Sequence, residues 1–73
     1  MEHYTWIAKN NSTIMIKERT APSKLAAVRA ARKFIRNELY GEGKAHIFRN
    51  GAPIETHERT IFSGMRWIKY PAQ

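Results

Sequence analysis

The sequence predicts an α+β domain, with one α-helix packed on a mainly antiparallel sheet in the order ββαβββ. Three observations in the 73-residue chain predict it. Apolar residues between Pro22 and Tyr40 recur at helical spacing. The segments on either side alternate or are rich in strand formers. Asn, Gly and Pro punctuate the chain where it must turn.

Each element has a local reason. His3 to Ala8 reads as a first strand, Lys9-Asn10-Asn11-Ser12 as a turn and Thr13 to Glu18 as a second strand. A turn centred on Asn10-Asn11 sets Ala8 opposite Thr13, Ile7 opposite Ile14 and Trp6 opposite Met15. One face then carries Thr5, Ile7, Ile14 and Ile16, and the other Tyr4, Trp6, Met15 and Lys17. The uncharged isoleucine face is the expected core side. Thr20-Ala21-Pro22-Ser23 opens the helix, with Thr20 or Ser23 as cap and proline tolerated in the first turn.

The helix spans 22–40 and stops at Gly41. Leu25, Val28, Ala31, Ile35 and Leu39 share its apolar face, with Ala27 and Phe34 at the edge. Gly41-Glu42-Gly43 is a link and Lys44 to Arg49 a strand. Asn50-Gly51 is a type I′ hairpin signal, setting Ile47 opposite Ile54 and His46 opposite Glu55. Pro53 cannot donate to a ladder and so predicts a sheet edge there. A fourth strand covers 52–62, with a short helical turn near Thr56 to Ile61 as the alternative. Ser63-Gly64 turns the chain, and Met65 to Tyr70 forms the last strand, with Glu58 opposite Lys69.

Composition narrows the function. Lys and Arg total 13 against six acids, all of them Glu, for a net charge of +7. A chain this short is one domain, 1–73. Without Cys it holds no disulfide framework and no thiolate metal site. No apolar run approaches the roughly 18 residues of a spanning helix. Met1-Glu2-His3-Tyr4 lacks the build of a signal peptide, so the expectation is a cytoplasmic protein that meets no membrane. A core this small supplies only about 3–5 kcal/mol, which admits a homodimer beside a monomer.

Catalytic vocabulary is sparse. His57 lies between Glu55 and Glu58, a conceivable mixed metal site, but the spacing matches no known ligand pattern. On a strand, Glu55 and Glu58 point to opposite faces. No Gly-x-Ser-x-Gly setting exists, no Asp is present to orient a His, and Gly41-Glu42-Gly43-Lys44 lacks phosphate-loop spacing. The chain is expected not to be an enzyme and to need no cofactor.

Binding is the stronger signal. The helix holds Lys24, Arg29, Arg32, Lys33 and Arg36 against Glu38 alone. Arg29, Lys33 and Arg36 form a stripe, with Arg32 between it and the apolar face. Such cations can contact phosphates and release counterions. Arg49 at the hairpin tip and Arg66 and Lys69 near the C-terminus add charge. Trp6, Trp67 and Tyr70 are candidate aromatic contacts, because exposed rings on a sheet can stack on unpaired bases. Core or rim packing is the competing role for the tryptophans.

In size and build the chain resembles small phage-encoded proteins that take over host transcription by binding RNA polymerase. The Leu25–Leu39 helix, its Arg29/Arg32/Lys33/Arg36 stripe and the Asn50-Gly51 hairpin carry the resemblance, which includes no specific motif. Phage repressors and excisionases share the same size and charge. The expected partner is therefore DNA or RNA in a transcription-regulatory role. The alternative is an acidic protein surface such as the transcription machinery.

Overall fold

The computed structural model describes residues 3–10 and 16–71, the side chain of Ile16 excepted. The elements run β1 (Tyr4–Lys9), β2 (Ile16–Ala21), α1 (Lys24–Glu38), β3 (Gly43–Arg49), β4 (Ala52–Arg59), a 3-10 turn (Ile61–Ser63) and β5 (Ile68–Pro71). The sheet is antiparallel throughout, in the order β2-β1-β3-β4-β5. The fold is the expected α+β arrangement of one helix on a five-stranded sheet.

The helix lies chiefly over the central strands β1 and β3. Ser23 caps it: the hydroxyl accepts from the Ala26 amide at 3.1 Å. Pro22 therefore precedes the cap rather than filling the first turn. At the other end Tyr40 and Gly41 both adopt positive φ, and the Gly41 amide donates to the Ile35 carbonyl at 3.0 Å. Ala27, Ala31, Ile35 and Leu39 form the buried stripe. Leu25, expected on that stripe, is 58% exposed. The buried stripe is centred on Ala27, Ala31 and Ile35, and at about 100° per residue Leu25 falls outside that arc.

The covered sheet face is the opposite of the expected one. Tyr4, Trp6 and Ala8 are buried with Ala45 and Ile47, whereas Thr5 and Ile7 lie on the open face, half-buried. Two aromatic rings bury more apolar area than isoleucine and threonine, and their size outweighs the charge of Lys17 on the same side. Lys17 does share that side, at the rim, where its ammonium lies 5.2 Å from the Phe34 ring centroid.

The first hairpin also differs in register. β1 pairs Trp6 with Arg19 and Ala8 with Lys17, four residues further along than a tight Asn10-Asn11 turn gives. The second strand accordingly runs to Ala21 rather than ending at Glu18. The expected partners Thr13, Ile14 and Met15, and the turn residues Asn11 and Ser12, lie outside the described residues.

The second hairpin turns at Asn50-Gly51, with φ of 52° and 84° as a type I′ turn requires. A one-residue bulge between Ile47 and Phe48 then leaves Ile54 without an opposite number. Ile47 faces Glu55 and His46 faces Thr56, not Ile54 and Glu55. Pro53 faces Phe48, beyond the point where β5 begins to pair with β4. β4 ends at Arg59, and a 3-10 turn follows, capped reciprocally by Thr60 and Ser63. β5 is shorter than the expected 65–70 strand and pairs Glu58 with Ile68 and His57 with Lys69.

Candidate nucleic-acid interface

The register sorts the charges by side. Lys17, Arg19, Arg49, Arg59 and Lys69 occupy strand positions on the helix side, joined by Lys24, Arg29, Arg32, Lys33 and Arg36 of α1 itself. Against these ten cations stand Glu38 and Glu55 among the described helix and strand positions, with Glu42 and Arg66 in the loops. The open sheet face carries Lys9 and Lys44 against Glu18 and Glu58, which balance. The charge excess of the described residues is thus concentrated on the helix side of the molecule.

Arg29, Lys33 and Arg36 are exposed along the outer ridge of α1, as the periodicity predicts. None of the three makes an ion pair among the described residues. Solvated, unpaired cations keep their counterions, and releasing those is what favours binding to a polyanion.

Arg32 has a different role. Its guanidinium donates to His57 Nδ1 at 2.8 Å and lies 4.9 Å from the Trp67 ring centroid. Arg59 covers Trp67 at 5.0 Å and donates from Nε to the Gly41 carbonyl at 2.8 Å. Trp67 therefore lies against two guanidiniums, one of them from α1, and this ties the segment before β5 to the helix. Arg32 and Trp67, both candidate ligand contacts in the sequence, serve this internal stack.

Beneath the stack lies a buried polar chain. Arginine only donates, so His57 Nδ1 is an acceptor and Nε2 carries the ring proton, which it gives to Glu55 Oε2. Lys24 Nζ lies 2.8 Å from the other oxygen, Glu55 Oε1. Glu55 and His57 are 7% and 3% exposed. Burial drives the His57 pKa below its usual value, and the nearby Arg32 and Lys69 charges add to this, while Glu55 only partly opposes it. Burial pushes the Glu55 carboxyl upward, but hydrogen bonds from Lys24 and His57 and the charge of Lys24 together hold it below its usual value. His57 stays neutral and Glu55 ionised near neutral pH. Glu58 points to the other face, and among the described residues no three potential ligands gather around a metal position.

The remaining candidates are dispersed. Trp6 is 4% exposed, with its ring centroid 5.9 Å from that of Phe34, so it is core. Tyr70 is 45% exposed but on the open face, where its hydroxyl donates to Glu58 at 3.3 Å. Lys69 is exposed on the helix side, Arg66 lies exposed in the loop before β5, and Arg49 sits at the β3–β4 hairpin.

Lys17 and Arg19 were not among the sequence candidates. They stand on the edge strand beside Lys33 and Phe34 and line one groove with them. Their alternation around Glu18 was the available signal: the shift of four residues is even and keeps Lys17 on the Trp6 side, and Arg19 was missed because the strand was expected to end at Glu18 and the isoleucine face to be the covered one. The chain matches no protein-family model, no curated protein and no solved structure. No described helix is long and apolar enough to cross a membrane.

Proposed function

We propose that the protein is a non-enzymatic binding module whose helix side docks on nucleic acid, in a transcription-regulatory setting. The exposed, unpaired Arg29/Lys33/Arg36 ridge, within a side of the molecule almost free of carboxylates, carries this reading. A ridge of this kind grips phosphates without reading bases, so the affinity it provides is sequence-tolerant and salt-dependent.

The test is the salt dependence of binding to a random duplex. Log affinity should fall steeply with log salt, and replacing Arg29, Lys33 and Arg36 by Ala should reduce the slope by about three units, at roughly 0.9 per phosphate contact. No binding to DNA or RNA at ~100 mM salt would overturn the reading.

A second reading has its own observation. Tyr40 and Phe62 are each 95% exposed and, with Ile61, border a cleft of about 330 Å³ at the end of the helix. Exposed aromatics of this kind suit a protein partner, for example the transcription machinery. Capture of one stoichiometric protein from nuclease-treated bacterial lysate, lost on Phe62→Ser, would favour it over the first.

A further inference from the structure

We propose that the groove between α1 and the edge strand β2 seats an unpaired base of single-stranded nucleic acid, with the flanking phosphates on Lys17, Arg19 and Lys33. This rests on the helix side being a nucleic-acid surface and narrows the ligand to a single strand.

The groove holds about 300 Å³. Phe34 supplies its aromatic wall with the buried Trp6 behind it, Asn37 a polar group, and Lys17, Arg19 and Lys33 its cationic rim. Lys17 and Arg19 are two apart on β2 and therefore point to the same side. Among the described residues the lining has one carboxylate, Glu38, at the end of the helix. None of the three cations is paired with a carboxylate among the described residues. Arg19 spends one N–H on the Glu18 carbonyl, 2.7 Å away, and keeps four for an incoming anion.

The Phe34 ring shows where a base would sit. The Lys17 ammonium lies 5.2 Å from its centroid, so the ring face is reachable by a group approaching from the groove. A base has a π face of its own and can take that place. Lys17 would then swing on its flexible stem to the adjoining phosphate. A duplex cannot do this, because its base faces are stacked on one another and only base edges and phosphates reach a protein unless a base is flipped out. Cations converging on an aromatic wall are the arrangement that tracks a single strand.

The test compares a short oligothymidylate with a duplex of the same length, using the full chain at one salt concentration and fluorescence anisotropy. The single strand should bind about tenfold more tightly. Phe34→Leu keeps an apolar side chain against Trp6 and should weaken single-strand binding by about tenfold while leaving duplex binding unchanged. Arg19→Gln, on an exposed edge position, should lower the single-strand salt slope by about 0.7 without disturbing the fold. Equal affinity for the two ligands, or single-strand binding indifferent to both substitutions, would overturn this inference and leave the broader function standing. Absence of binding to either ligand would overturn both.

Discussion

Arg32 and its neighbours on α1 are chemically alike and physically different. Arg29, Lys33 and Arg36 end in water, whereas Arg32 satisfies a buried imidazole and stacks on Trp67. Arg32→Ala should cost about 2 kcal/mol in urea unfolding, from the orphaned His57 Nδ1 and the lost cation–π contact. Arg29→Ala should stay within about 0.5 kcal/mol. His57 sets the pH dependence. Its pKa is lowered in the folded protein, so the unfolded chain binds the proton more readily, and stability falls as pH drops below the ordinary value of 6.5. His46 is lowered as well, by burial and then by Lys9 and Lys44, and acts in the same direction. Glu55, also lowered, loses its contribution further down, as pH falls below its ordinary 4.5. The urea midpoint should therefore decline steadily from about pH 7 to pH 5. His57→Gln should remove part of that slope and leave the share of His46. A flat profile in the wild type would contradict the assignment.

At the scale of elements, legibility depended on whether a signal was local. The α1 periodicity, the chain reversal at Gly41 and the Asn50-Gly51 turn are written in adjacent residues; the turn is where the sequence places it, while the helix is two residues shorter at each end, Lys24–Glu38, with Tyr40 ahead of Gly41 in the left-handed region. The bulge opposite Ile54 is not local, because it depends on what Glu55 and His57 find beneath the helix. It turns both inward toward Arg32 and Lys24, where a regular ladder would turn Ile54 and Thr56 inward. Closeness of packing was equally hidden. A Cβ on Gly43 would lie 2.7 Å from the Lys9 carbonyl oxygen and 3.2 Å from Leu39 Cδ1. Gly43→Ala should therefore destabilise by about 2 kcal/mol through overpacking between β1 and α1. Gly51→Ala meets open space and carries only the strain of φ +84°, about 1 kcal/mol. Thermal or urea unfolding of the two variants should give this order.

For the molecule as a whole, the sequence supplies a sum of +7 and the fold gives it a direction. Strand alternation is what separates the sides. Lys17 and Arg19 join the helix cations, while Glu18 and Glu58 face away with Lys9 and Lys44. The stripe on α1 was readable because helix and charge share one period. The edge-strand half of the surface depended on which sheet face the helix covers, because alternation puts Lys17 and Arg19 on the Trp6 side in either register, and no local rule chooses that face.

The two indoles occupy unlike settings, and this gives the protein an optical reading of its own state. Trp6 is 4% exposed beneath α1, while Trp67 is half-buried with two guanidiniums 4.9 and 5.0 Å from its ring. Iodide, drawn to those two positive charges, should quench the emission of Trp67 and spare Trp6. Caesium, repelled there, should quench neither. A rise in caesium quenching during gentle denaturation, ahead of the loss of far-ultraviolet dichroism, would then report the release of β5 before the rest of the sheet melts.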